Sequence, residues 1–287
     1  MEATRYHVQD TSGILTVELL DVVSILKSKL DIQALYCFGL RQIKSIQKSF
    51  IFPGFDNQQQ NLHLDLLVLS THVPSNATAD LSDLIYKFTG GRYRVTLLLH
   101  SPAQVKAASY KNGVLFHNIH KYGWLLQTHT ALIENPGLFT EHKLCVQHVE
   151  KFTANRLYNA QKLFELEDAV QGVEGGLLRA SLLHTGVEQL CLAIIYAFMG
   201  YYPNHFHLQY LFSLCSHVTP IIEEHFPADT VEDKSLLKIL HTTPQALRFK
   251  KSEQFTHTRL QVLEERCLNF YSEVEKLIEK RIAILEG

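Results

Sequence analysis

Apolar and polar residues divide this chain into two halves of different period. Residues 14–30, ILTVELLDVVSILKSKL, repeat apolar positions at helical spacing and predict an amphipathic helix ending near Asp31. IQALYCFG, residues 32–39, is a short apolar run rich in strand formers that stops at Gly39, and predicts a buried strand. Residues 40–61 are polar, with Pro53-Gly54 and a glutamine run at 58–60, and predict a long loop. LHLDLLVLS (62–70) and YRVTLLLHS (93–101) read as two further strands. Between them residues 80–89 read as a helix, with Asp80 as a candidate N-cap. Ser101-Pro102 can open another helix, because proline is tolerated in a first turn. FHNIHKYGWLLQ (116–127) is a short aromatic segment with a glycine turn. This order of elements predicts a small α/β domain.

A turn signal at Asn135, Pro136 and Gly137 ends that pattern. Beyond it the strand-like runs disappear. Residues 141–170 predict one amphipathic helix, with apolar or aromatic residues at 144, 149, 152, 157, 160, 163, 164 and 166. Residues 175–200 are the most periodic stretch of the chain. Leu178, Leu182, Val187, Leu190, Ile194 and Ala197 recur every three to five residues and predict a long buried helix. Residues 205–218 and 231–247 give two shorter helices, 248–255 a polar, basic connection, and 256–285 a long final helix. The expected architecture is therefore two-domain α+β. Residues 1–135 form a small sheet domain, and residues 136–287 form an all-α, up-and-down bundle. About 150 residues suffice for a separate core in the second half.

Composition narrows the partners. The formal charge is −2, so binding to nucleic acid through bulk positive charge is not expected. Five cysteines are scattered with no C-x-x-C spacing, and most read as small buried hydrophobes in a reducing compartment. The first residues are polar, without a signal peptide or an 18-residue apolar run, which predicts a cytoplasmic protein with no membrane contact. Histidine is frequent, at 16 residues, with close pairs at His117/His120 and His205/His207. No H-E-x-x-H and no Cys/His cluster accompanies them, so neither a metal nor a cofactor is expected.

Inside the 175–200 stretch Arg179 and His184 are five residues apart, R-x-x-x-x-H, and Glu188 follows His184 by four. At helical pitch Arg179 and His184 lie about 140° apart in azimuth and about 7.5 Å apart along the axis, whereas His184 and Glu188 share a face. On these residues the helix resembles the central helix of HEPN domains. There the histidine begins an H-Q-A-x-E phrase, and ribonuclease members carry R-x-x-x-x-H. Thr185 and Gly186 depart from the glutamine and alanine of that phrase. The resemblance implies that Arg179 and His184 are catalytic, with Ser181 and Glu188 supporting. It also implies a homodimer through the helical domain, which sets two Arg–His pairs across a two-fold cleft. The chemistry suits metal-free RNA cleavage: histidine moves protons near neutral pH, and arginine offers a fork of donors to phosphate oxygens. Arg248, Lys250 and Lys251 in the basic connection would then line an approach for RNA.

The first half resembles a minimal nucleotidyltransferase. There a strand ends in Gly-Gly or Gly-Ser, and the next carries D-x-D to hold magnesium on nucleotide phosphates. Gly39 is present, but Leu40 replaces the small residue; His63 stands at the first aspartate and only Asp65 remains. The strand at 95–99 has no third carboxylate. Gly39, His63 and Asp65 therefore mark a degenerate site without transferase activity. Two readings follow. One is a HEPN-type, metal-independent endoribonuclease with a stress, defence or toxin-like role. The other is a non-catalytic module that binds a nucleotide, a nucleic acid or a protein.

Overall fold

The computed structural model describes residues 15–48, 56–73, 77–108, 113–128, 138–170 and 175–287. The turn signal at 135–137 lies outside the described residues. Two compact units divide the chain, Met1–His142 and Lys143–Gly287.

The first unit runs α1 (Leu15–Lys27), β1 (Ile32–Lys48), β2 (Asp56–Ser70), α2 (Ala77–Phe88), β3 (Tyr93–His100), α3 (Pro102–Lys106), α4 (Gly113–Tyr122) and β4 (Trp124–Thr128). The strands form a mixed four-stranded sheet in the order β3-β2-β1-β4. β1 is antiparallel to β2 and β4, and β2 is parallel to β3. A parallel neighbour requires a crossover, which α2 supplies. Leu64, Leu66, Val68, Leu97 and Leu99 share a core with Val22, Val23 and Leu26 of α1 and Leu81 and Ile85 of α2. On the opposite face Tyr36 meets His120 of α4, and His100 meets Phe116. Covering both faces explains the near-continuous run LDLLVL: Leu64 to Leu69 are fully buried.

Three sequence expectations change here. Residues 40–61 are not a long loop. β1 runs on to Lys48 and β2 begins at Asp56, with register maintained from Leu40↔Leu64 to Lys48↔Asp56. The glutamines at 58–60 are weak strand formers, yet an antiparallel neighbour satisfies their backbone whatever their side chains are. Asp80 does not cap α2 but sits within its first turn, where a carboxylate still favours the helix dipole. The segment 116–127 divides into α4 and β4, the latter adding an edge to the sheet. The helix opening at Ser101 does form, with Ser101 and Gln104 in a reciprocal capping box.

The second unit runs α5 (Val146–Asp168), α6 (Gly176–Met199), α7 (Leu208–Cys215), α8 (Ile221–His225), α9 (Val231–Leu240), α10 (Pro244–Leu247), a 3-10 turn (Ser252–Gln254) and α11 (His257–Glu286). α6 is the central element. α5, α7, α9, α10 and α11 all pack on it, and Leu183, Val187, Leu190, Cys191 and Ile194 have no exposed surface. It is also long and apolar enough to cross a membrane, although the sequence shows no uninterrupted apolar run of that length. In the unit 78% of its most apolar window is buried, as in the core helix of a soluble protein. Gly200 ends α6 in the left-handed region at φ 57°, with its amide donating to Tyr196 O. The predicted helix at 231–247 is two helices, because Pro244 cannot continue α9 and Thr243 caps a new start.

Polarity is inverted where α5 ends and α6 begins. Leu166 and Leu178, which belong to the apolar pattern, are 57% and 54% exposed. Their neighbours Glu167 and Arg179 are 0% and 6% exposed. An internal ion pair, not an apolar stripe, sets this end of the interface.

Gly186 marks a close approach between α5 and α6. A Cβ there would overlap the ring of buried Phe164. Gly186→Ala should therefore cost about 1–3 kcal/mol by overpacking, against the roughly 1 kcal/mol that alanine gains in helix propensity. Denaturant midpoints measure the balance, and a variant more stable than wild type would show that α5 moves aside freely.

Candidate functional site

Arg179 lies on the first turns of α6 and is sealed by three partners. Its Nε donates to Glu167 Oε1 of α5, and its Nη2 donates to Glu264 Oε2 of α11 at 3.0 Å. Its Nη1 lies 3.0 Å from Nδ1 of His257, also on α11. A guanidinium only donates, so Nδ1 of His257 accepts. Two carboxylates thus share one cation inside the unit. Burial, and then the Glu264 charge, push the Glu167 carboxyl up to about 7, while its bond to Arg179 opposes the rise.

His184 lies 1.4 turns further on and is 2% exposed. Its Nδ1 is 2.7 Å from the carbonyl oxygen of Leu240, the last residue of α9. A carbonyl only accepts, so Nδ1 carries the proton and Nε2 is the acceptor of a neutral ring. Burial chiefly holds its pKa below the ordinary histidine value; the Leu240 bond opposes this, and nearby His207 adds to it. Arg179 therefore engages α5 and α11, and His184 engages the end of α9. They share no hydrogen-bond partner, as their separation around the helix leads one to expect.

Ser181 is half-buried, and its carbonyl accepts from Thr185 Oγ1 at 2.8 Å. Glu188 is half-buried, and burial pushes its carboxyl up while Arg156 opposes the rise. Arg156, on α5, escaped the sequence reading. It donates to Gln189 Oε1 at 2.6 Å and to Tyr202 Oη at 3.3 Å, and lies over the rings of Phe152 and Tyr202. Its position in a long amphipathic pattern gave no sign of that role. Arg248, Lys250 and Lys251 are exposed between α10 and α11.

In the first unit Gly39, His63 and Asp65 do come together. Gly39 faces Asp65 across the β1–β2 ladder, next to a register shift at Cys37/Gly39. Leu40 is 40% exposed. Asp65 is fully buried, and Arg41 Nη2 donates to its Oδ1 at 3.0 Å. His63 Nε2 lies 2.7 Å from Thr96 Oγ1 of β3 and 3.6 Å from Asp65 Oδ1. Burial, then the positive charges of Arg41 and Arg94, press the His63 pKa down to about 4, and Asp65 only partly offsets them. His63 is neutral at pH 7.

Arg41 was missed because residues 40–61 read as loop. Once β1 is seen to continue, Arg41 is opposite His63 in the ladder. The lone carboxylate already holds a cation. A divalent ion would have to displace the guanidinium and find further oxygen ligands, and Asp65 is the only acidic residue of this constellation. Among the described residues no group of three or more His, Cys, Asp or Glu is placed to hold a metal ion. Cys37, Cys191, Cys215 and Cys267 are free thiols in the interior, and Cys145 is exposed.

Comparison of the sequence with protein-family models and with curated proteins finds no match.

Proposed function

We propose that this chain is a non-catalytic binding module in which a nucleotidyltransferase-like unit is joined to a HEPN-like helical unit. The observation that carries this reading is the sealing of Arg179 by Glu167, Glu264 and His257 at 6% exposure. A phosphate-stabilising arginine must present unsatisfied donors to the substrate. Here three of the five N–H donors, one on each nitrogen, are engaged inside the unit, beside two acidic side chains. His184 supports the same conclusion, since its Nδ1 is committed to Leu240 and its ring is buried. The Arg41–Asp65 pair extends it to the first unit, where an internal cation occupies the lone acid.

The test is RNA cleavage in EDTA by wild type and by His184→Ala. The expected result is no cleavage that depends on His184. Cleavage by wild type that His184→Ala abolishes would overturn the non-catalytic reading and restore the ribonuclease, together with its two-fold pairing of Arg–His sites.

A further inference from the structure

Beyond the Arg179 network, the helical unit has an open pocket of about 430 Å³ lined by His207, Lys234, Leu237, Lys238, His241 and Thr242. It adjoins His184, whose partner Leu240 immediately precedes His241. No acidic residue lines it. Lys234 and Lys238 are four apart on α9 and share a face, a like-charge spacing that weakens a helix unless an anion bridges it. Both are exposed, and among the described residues neither forms an ion pair. The acids of the same helix are engaged elsewhere: Glu232 with Arg259 at 3.3 Å, and Asp233 with Arg266 at 2.7 Å.

His241 adds an independent sign. Its ring lies against Phe212, and its Nε2 is buried without a hydrogen-bond partner. Buried polar atoms are rarely left so, and the His241 residue is part of the pocket wall. We propose that this pocket binds a phosphate-type oxyanion, with the Lys234 and Lys238 ammonium groups supplying charge and the ring nitrogens of His207 and His241 supplying hydrogen bonds. The inference rests on reading the chain as a binding module and names the ligand chemistry. A single oxyanion suits a pocket with two cations. A nucleic-acid strand would need a longer basic stripe, and Arg248, Lys250 and Lys251 do not line this pocket. Burial first, then His207 and His184, hold His241 down to about 4. A bound anion would offset those neighbours and move the ring's titration upward.

The experiment follows the histidine ring resonances of the full chain during titration with inorganic phosphate, with ionic strength held constant by chloride. Saturable shifts at His207 and His241 are expected. Affinity should fall at least tenfold in Lys234→Gln/Lys238→Gln, two exposed positions whose replacement removes a like-charge pair and should not lower the melting temperature. Absence of a saturable shift, or equal affinity in the double variant, overturns the site. Adenosine 5′-monophosphate in a parallel titration distinguishes the source. Tighter binding than phosphate assigns a phosphate ester, and equal binding assigns the free anion. The EDTA cleavage assay remains separate: a silent phosphate titration removes this site alone, whereas His184-dependent cleavage removes the non-catalytic reading.

Discussion

Arg179→Ala should unfold the helical unit at a temperature lower by on the order of 10 °C, the equivalent of about 3–5 kcal/mol. The removed guanidinium is 8% exposed and holds two carboxylates, Glu167 at 0% and Glu264 at 20% exposure. Without it, Glu167 loses its donor at zero exposure, and any charge it carries faces Glu264 with no cation between them, the costly way to break a buried ion pair. Replacing Arg179 and Glu167 together by methionines should lose much less, because burying apolar groups of similar volume is often neutral. Circular dichroism melts of the single and double variants measure the difference. If Arg179→Ala melts within 1–2 °C of wild type, the network is not what holds α5, α6 and α11 together.

The same network carries a pH signature. Glu167 has a folded pKa of about 7, above the ordinary glutamate value that the unfolded chain would show. Between those values the folded state binds the extra proton, so stability falls as pH rises from about 4.5 to 7. The contribution is fully present below the lower value and lost above the upper one. Glu167→Gln should flatten that part of the stability profile, since an amide still accepts from Arg179 but does not titrate. An unchanged slope would place the titration on another group.

The second large effect lies in the first unit. Arg41→Ala should destabilise the sheet by about 2–3 kcal/mol, less than a fully sealed pair because Arg41 is a quarter exposed. Asp65 would lose its guanidinium at zero exposure, and the His63 ring would be freed from one of the charges that depress its pKa. Its pKa should therefore rise, readable by proton resonance. Arg41→Ala combined with Asp65→Asn should recover most of the stability. A double variant as unstable as the single one would show that Arg41 acts through its packing and not through its charge on Asp65. Added magnesium should not rescue Arg41→Ala, since one carboxylate cannot complete the coordination of that ion.

These two networks show where sequence reasoning reached its limit. Arg179 and His184 were legible as unusual residues because each interrupts an apolar period. Their partners were not. Glu167 and Glu264 are separated from Arg179 by 12 and 85 residues, and Leu240 from His184 by 56. Arg41 was hidden by composition. A polar stretch with glutamines and a Pro-Gly step reads as loop, and only the ladder with β2 makes it strand. Asp65 was legible as a solitary acid, but not the cation beside it.

By itself the sequence determined the change from strand-and-helix to helix-only organisation, most of the elements on each side of it, and α6 as the central apolar helix. Periodicity is local, and each of these follows from it. That Asp65 stands on its strand without a second acid was equally plain, because it is read from the residues alone. Tertiary structure decided which polar residues are inside and what holds them there. Leu166 and Leu178 face outward while Glu167 and Arg179 are buried. That inversion reflects long-range pairing of charges, which no hydrophobic period encodes, and it leaves each Arg179 nitrogen with a partner within the unit.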